Sequence, residues 1–477
     1  MIHVIRQIER RLGRRPGEGR IAARAALLSA LLLLLGVGAL LSSRANAQES
    51  TQENVQDFDP AREAKTMLDT LDAGDFAAVH ARFDATMAAA ISAEQLAQGL
   101  KALATQVGPL QSRGEADVKT RDIGALVTIP LHYERGELTA IFTFDNEQKI
   151  SGFAIRPAQA AKPATAAPAV PEDANYRETE VTVGEGESAL PATLAMPNGE
   201  GKGKLPAVVL VHGSGPQDRD STIGPNRPLL DIARGLAERG IAVLRYEKRT
   251  KAHPQQFADG GSIDLETTDD AVVGAALLRG QTGIDPKRVF VLGHSQGAMM
   301  APRIGARDPQ IAGLILLAAP SRPLLDILIE QNRRLAILND GKVSDAENTA
   351  IQQLVDSVSA VRKGREMTAA QSPMGLPPAY WRSVEAVDAV AEAKAIAQPM
   401  LILQGARDIQ VVDADWQGWK EAFHDSPRVT FKLYETLNHL GIPGEGDGNL
   451  QEYQTPGHVS PELIADVAAW IAAQKPK

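Results

Sequence analysis

Gly293-His294-Ser295-Gln296-Gly297 sets a serine between glycines two residues before and two after it, directly behind the apolar run Val289-Phe290-Val291-Leu292. A serine hydroxyl attacks a carbonyl only when a base removes its proton. A sharp turn from strand into helix lifts that hydroxyl clear of a sheet, and the turn strains the backbone so far that side chains at the flanking positions would collide. The five-residue pattern alone is a weak signal, since a glycine-flanked turn can hold a serine by chance. The buried strand before it and the helical stretch 296–305 after it supply the context that gives it meaning. Ser295 is therefore the candidate nucleophile and Gly293 and Gly297 its elbow. The backbone N–H of Gln296, at the start of the helix, is available to a developing oxyanion.

A second oxyanion donor has to come from a loop behind an earlier strand. Val211-His212-Gly213-Ser214-Gly215-Pro216 follows the apolar run 206–211 directly. Ser214 N–H is the expected donor, with Gly213 and Gly215 permitting close approach of the backbone, and the Ser214 hydroxyl reads as a local turn partner. Loss of one such donor typically costs about 3–4 kcal/mol of transition-state stabilisation.

The base must be held in one tautomer by an acid, and behind a serine on this kind of turn the acid precedes the histidine in the chain. The apolar strand 400–404 runs into Gly405-Ala406-Arg407-Asp408, which nominates Asp408. Asp413 and Asp415 lie further on, where a helix around Trp416–Phe423 should begin, and N-capping accounts for Asp413. Of nine histidines, His3, His80 and His132 lie outside the strand-and-helix region. His212 and His294 adjoin the motifs and read as structural, His253 precedes the serine, and His424 precedes the last strand at 429–434. His439, just behind that strand, is the expected base. His458 reads as an entry residue of a terminal helix over 460–473.

These residues need a scaffold that brings strand ends together. The runs 207–211, 241–244, 289–292, 314–317 and 400–403 suit strands buried on both faces, and helical segments at 228–239, 266–280 and 296–305 separate them. Alternation of this kind predicts an α/β fold with a mostly parallel sheet, begun by an antiparallel pair over 177–183 and 188–195. Residues 321–397 break the alternation. Their amphipathic stretches 323–339 and 344–363 and the Pro/Gly/Met loop 372–378 predict a helical lid, inserted where ligands bind in open sheets.

The 477 residues are more than one core usually holds. Helical patterns over 61–80 and 81–107, then short strands near 116–119, 125–132, 138–144 and 150–155, predict a small α+β domain over 58–156. Residues 157–174 are mostly Ala and Pro and predict a semi-rigid linker to a second domain over 175–477. Ahead of both, arginines scattered over 1–24, the apolar run Ala25–Leu41 and Ala45-Asn46-Ala47 predict a signal peptide over 1–47 and an exported, periplasmic protein. An uncleaved anchor in the inner membrane is the alternative, because the run is near the lower limit of about 17 residues for a span. Cysteine is absent, which excludes disulfides, thiolate metal sites and a cysteine nucleophile. A net charge of -9 and a pI near 5.6 offer no basic surface for nucleic acid.

On these residues the region from the linker to residue 477 resembles the α/β-hydrolase family. His212–Asp220, HGSGPQDRD, is similar to a bacterial branch of exported ester hydrolases related to dienelactone-hydrolase-like and S33 peptidase-like proteins. Leu244–Thr250 resembles that branch's strand-end loop, with Glu247 and Thr250 where the branch usually has Asp and Gly. Residues 58–155 resemble the DUF3887 domain, itself similar to NTF2-like folds, for which the resemblance implies no activity. The expected function is hydrolysis of a small-molecule carboxylic ester through an acyl-enzyme on Ser295, without metal or organic cofactor. A serine peptidase or amidase of the S33 or S9-like type is the near alternative, with Asp218-Arg219-Asp220 as a possible grip on a charged end, and an inactive binding protein the distant one.

Overall fold

A computed structural model of the chain describes residues 58–121, 124–134, 136–157, 167–199, 204–257 and 260–476. The expected signal segment 1–47 and the linker positions 158–166 lie outside the described residues. Two compact units divide near residue 166.

Among the described residues of the first unit four helices precede an antiparallel sheet. Helix α1 (Pro60–Asp72) starts at Asp59, whose carboxylate accepts from the N–H groups of Ala61 and Arg62, and α2 (Phe76–His80) follows Gly74. The expected continuous helix over 81–107 is interrupted. Phe83 forms a bridge to Ile150, Asp84 caps α3 (Ala85–Ala90) through Met87 N–H, and Ser92 and Gln95 bond reciprocally to start α4 (Ala93–Val107). Side-chain caps here override apolar periodicity. The sheet consists of β1 (Leu110–Arg113), β2 (Asp117–Arg121), β3 (Gly124–Tyr133), β4 (Gly136–Phe144) and β5 (Ile150–Pro157). Its path is β1-β3-β4-β5, with β2 also paired to β3. Val127, Ile129 and Leu131 alternate inward from β3 and share a core with Ala64, Met67, Leu68 and Leu71 of α1.

The second unit opens with the antiparallel pair β6 (Tyr176–Val183) and β7 (Leu190–Pro197), followed by β8 (Leu205–Val211), α5 (Pro228–Ala237), β9 (Ala242–Tyr246) and the short α6 (Arg249–Ala252). Next come α7 (Asp269–Gly280), β10 (Ile284–His294), α8 (Gln296–Arg307) and β11 (Leu314–Leu317). An insertion of α9 (Leu324–Asp340), α10 (Asp345–Arg362), α11 (Pro378–Glu385) and α12 (Ala389–Ala395) separates β11 from β12 (Met400–Gly405). The unit ends with α13 (Asp413–Phe423), β13 (Val429–Tyr434) and α14 (Pro461–Ala473). Residues 167–174, expected as linker, carry contacts of their own. Arg234 donates to the Pro168 carbonyl at 2.6 Å, and Val170 and Ala174 pack against the core.

The strand order β13-β12-β11-β10-β8-β9-β7-β6 explains where a site can form. After β8 the chain steps to β9 on one side and then returns to lay β10 on the other, so β8 and β10 flank a topological switch point. The loops that leave their carboxyl ends diverge there and open a crevice. The stretches 207–211, 242–246, 289–294, 314–317 and 400–405 of β8 to β12 are buried on both faces, as parallel strands under two helical layers must be. On one side α5 and α14 contribute Leu229, Ile232, Leu236, Leu463, Val467 and Ile471. On the other, α7 approaches so closely that a β-carbon on Gly274 would stand 3.2 Å from Leu244 and 3.3 Å from Val209.

Polar staples fasten the insertion at both ends. Asp415, with 0% of its surface exposed, accepts from the backbone N–H groups of Ser321 and Arg322 and from the Arg322 guanidinium, Nη2 to Oδ2 at 2.7 Å. At the far end Arg303 of α8 grips both carboxylate oxygens of Glu392 on α12. Asp413, expected as a helix cap, is instead the first residue of α13 and bonds to Gln417; the cap position belongs to Val412. Among the described residues no helix is long and apolar enough to cross a membrane.

Removal of the Arg322 side chain strands most of the charge on Asp415 in a buried setting. Arg322→Met is expected to destabilise the second unit by about 3 kcal/mol, read as a lowered urea midpoint at unchanged slope.

Candidate active site

Ser295 joins β10 to α8 with φ 54° and ψ -118°, a conformation L-residues rarely adopt and one that costs about 1–3 kcal/mol. The strain is held by bonds on both sides: Ser295 N–H donates to Leu317 O at 2.9 Å, and Ser295 O accepts from Met299 N–H at 3.0 Å. Both flanking glycines are obligatory for steric reasons. A β-carbon on Gly293 would fall 2.2 Å from Gly297 O, and one on Gly297 would fall 2.5 Å from the carbonyl oxygens of Val211 and His212. The second clash also reveals how the oxyanion loop is placed, because the first turn of α8 lies directly on the end of β8. A β-carbon on Gly213 would stand 3.3 Å from Ser295 Cβ.

Asp408 and His439 meet as the chain order requires. His439 Nδ1 lies 2.7 Å from Asp408 Oδ2, with both side chains buried. The other carboxylate oxygen, Oδ1, accepts from the N–H groups of Gln410 and Val411 at 2.7 and 3.0 Å. Asp408 is thereby fixed as an acceptor, which sets His439 Nδ1 as the protonated nitrogen and leaves Nε2 to act as base. Gly405 lets the two loops touch, since a β-carbon there would fall 2.2 Å from Leu437 O. The loop behind β13 is further held by Asn438, which accepts from Leu440 and Ile442 N–H, and by Arg407, which bonds Gly446 O and Glu452.

His294 connects the nucleophile's turn to this pair. Its Nε2 lies 2.8 Å from the His439 carbonyl and therefore donates, and the two rings lie 4.7 Å apart. Burial, aided by the neighbouring His439, pushes the His294 pKa down to about 3, and burial with the nearby Lys248 does the same for His212. Both imidazoles are neutral at neutral pH. The other histidines lie elsewhere: His253 bonds Ala189 O, His458 faces Asp231, and His80 bonds Ala88 O.

Gln296 and Ser214, the expected oxyanion donors, lie on the turn into α8 and on the loop behind β8. Gln296 is the first residue of α8, so its N–H has no acceptor within the helix, and Ser214 follows Gly213 in an exposed turn whose Ser214 O is bonded by Gln217. Asp218-Arg219-Asp220, considered above as a grip for a charged ligand, is consumed internally. Arg219 pairs with Glu180 and Glu247, Asp220 with Arg245 and Arg227, and Asp218 accepts from Asp220 and Thr222 N–H. Glu247, one of the two departures from the resembled loop, is thus the partner of Arg219. Thr250, the other, lies within helical α6 and needs no glycine's freedom.

Sequence reasoning passed over Lys248, Glu266 and Tyr380, which pack with Gln296 beneath the elbow. Lys248 is visible in the sequence as a charge directly behind a buried strand. Glu266 and Tyr380 stand 18 and 132 positions further along the chain and carry no periodic signal. Among the described residues no group of three or more His, Asp or Glu could hold a metal ion.

An arrangement of this kind suits nucleophilic acyl transfer, the chemistry of the serine hydrolases. The comparisons agree with that class. The chain is 36% identical to esterase EstD of Thermotoga maritima over 344 residues, 72% of this chain and 78% of that protein. Residues 207–445 match the family described as serine aminopeptidase, S33, and residues 64–153 the protein of unknown function DUF3887. Solved structures with a similar fold include Est1E from Butyrivibrio proteoclasticus, 16% identical with a TM-score of 0.40, covering 62% of this chain and 99% of that one. An esterase of Pyrococcus furiosus is likewise 16% identical with a TM-score of 0.40, covering 64% and 94%. The chain belongs to the α/β-hydrolase family, as a serine hydrolase preceded by a DUF3887 domain.

Two outcomes follow from this geometry. Gly297→Ala is expected to cost about 2–3 kcal/mol of stability and to slow reaction of Ser295 with a fluorophosphonate, measured on the folded variant. The buried histidines make stability depend on acid. Their folded pKa near 3 lies below the unfolded value near 6.5, so between those values the unfolded chain binds more protons and stability rises with pH. Each contributes about 1.4 kcal/mol per pH unit in that window. The urea midpoint should fall on acidification below pH ~6.5, and His294→Gln should remove about one proton from the slope.

Proposed function

We propose that the chain hydrolyses carboxylic esters through an acyl-enzyme on Ser295. His439 Nε2 takes the Ser295 proton as Oγ attacks the ester carbonyl, and Asp408 stabilises the imidazolium that results. The N–H groups of Ser214 and Gln296 hold the tetrahedral oxyanion, and His439 returns its proton to the departing alcohol. Water, activated by the same imidazole, then attacks the acyl-enzyme and releases the acid. No step calls on a metal or organic cofactor. The observation that carries this reading is the 2.7 Å bond between His439 and Asp408 on a loop whose backbone is tied, through His294, to the turn that holds Ser295.

An ester is favoured over a peptide for two reasons. A relative matched over 72% of this chain is an esterase, and the charged loop considered as a grip for a peptide end is spent on internal pairs. Residues 1–47 act in this reading as an export signal, which places the enzyme in the periplasm. The insertion between β11 and β12 forms the lid that shapes the acyl pocket.

A series of nitrophenyl esters of rising chain length, run beside aminoacyl arylamides, tests the assignment. Esters should turn over faster than arylamides, and Ser295→Ala should lower kcat by about 10⁴- to 10⁶-fold. Faster arylamide turnover, or ester turnover that survives Ser295→Ala, overturns it.

A further inference from the structure

We infer that Lys248 is the positioning residue of the oxyanion hole, acting with Glu266, Gln296 and Tyr380 as one buried network that aims both donor amides; this rests on the serine-hydrolase reading above. Lys248 follows β9 and is 1% exposed, yet it carries an ammonium. Its Nζ donates to Gly213 O at 2.6 Å, pairs with Glu266 Oε1 at 2.6 Å and reaches Gln296 Oε1 at 3.5 Å. Those three acceptors use the three N–H bonds of an ammonium. Glu266, 3% exposed, accepts with its other oxygen from Tyr380 OH at 2.5 Å and from Gln296 Nε2 at 3.4 Å, and Gln296 Nε2 also lies 3.3 Å from Tyr380 OH.

The contact to Gly213 sets the direction of a catalytic group. Gly213 C=O and Ser214 N–H belong to one planar trans peptide unit, so they point in opposite directions. An ammonium that draws the carbonyl into the interior therefore turns the Ser214 N–H outward. It also polarises the amide, which makes that N–H a stronger donor to a developing oxyanion. The same ammonium and its carboxylate partner grip the Gln296 carboxamide from both ends, which fixes the residue whose backbone N–H is the second donor.

Stability alone gives a poor account of such a cluster. A buried ion pair is commonly no better than an apolar set of equal volume, because desolvation offsets the attraction. Orientation of two amides to within a fraction of an ångström is work an apolar set cannot do. Tyr380 extends the arrangement to α11, so the insertion that shapes the pocket is wired to the hole through one hydroxyl.

The test removes both charges together, since Lys248→Met alone would leave Glu266 buried and unpaired. In Lys248→Met/Glu266→Gln, with folding verified by circular dichroism and thermal midpoint, kcat on nitrophenyl acetate should fall roughly 10- to 100-fold while KM stays within about threefold. The inhibition constant of a trifluoromethyl ketone, whose adduct places an oxyanion in the hole, should rise by the same factor as kcat/KM falls. Tyr380→Phe, which deletes one hydroxyl, should lower kcat about 3- to 10-fold at unchanged KM, and it serves alone if the double variant does not fold. A folded variant with kcat and inhibition constant within threefold of wild type overturns the assignment, as does a raised KM at unchanged kcat. The rate of Ser295 labelling by a fluorophosphonate is measured in parallel, because it needs nucleophile and hole but no ester. Wild type that labels yet cleaves no ester sinks the ester reading only. Labelling that is equally fast in wild type and variant sinks the role of Lys248.

Discussion

Ser295 is held in a backbone conformation that costs energy, and the second unit is arranged around sustaining it. The turn can exist only because β10 is paired on both sides, by β8 and β11, so that its end cannot relax away from the sheet. It can exist only with glycine on either side, since Gly293 touches the backbone of Gly297 and Gly297 touches the end of β8. Those collisions have a second consequence. They press α8 onto the strand that delivers Gly213 and Ser214, so the constraint that strains Ser295 also sets that loop beside it.

Charge is placed with the same economy. Around the nucleophile the imidazoles of His212 and His294 are buried and stay neutral, which prevents them from competing with His439 for a proton or repelling its imidazolium. His294 serves through its N–H, which carries the position of β10's end to the backbone of His439. Asp408 keeps one oxygen for the base and gives the other to two amides. In the neighbouring loop Arg219 is neutralised by Glu180 and Glu247 and Asp220 by Arg245 and Arg227, and these pairs pin the loop's far side to β6, β7 and β9.

Strands buried on two faces announce themselves in sequence as apolar runs, and a serine between glycines behind such a run announces a turn. For that reason the sheet, the elbow at Ser295 and the order of Asp408 and His439 were legible from residues alone. The insertion was legible too, because the amphipathic stretches over 323–339 and 344–363 fold as α9 and α10. What escaped was interaction between distant polar residues. The helix expected over 81–107 is broken by Asp84 and Ser92, whose caps compete with periodicity. Asp413 is a helix residue with Val412 at the cap, and Asp415 is claimed by Arg322, 93 positions earlier. Lys248, Glu266 and Tyr380 illustrate the same limit: each is unremarkable locally, and only the sheet brings them together.

The position of Tyr380 bears on how specificity could change within this fold. An insertion fastened by Asp415 at one end and Glu392 at the other can vary its middle without disturbing the sheet. If the middle touched only substrate, pocket shape and catalytic rate would be independent. Here α11 bonds to Glu266 and, through the Tyr380 hydroxyl, to the carboxamide of Gln296. On the proposed role of the Lys248 network, a change in the insertion that moves α11 would move a group that orients the hole, and would couple acyl preference to turnover. The α9–α10 pair also meets α11, by direct packing and through Arg362 of α10, which bonds Asp326 and Glu385, so a change in that pair is passed to α11 as well.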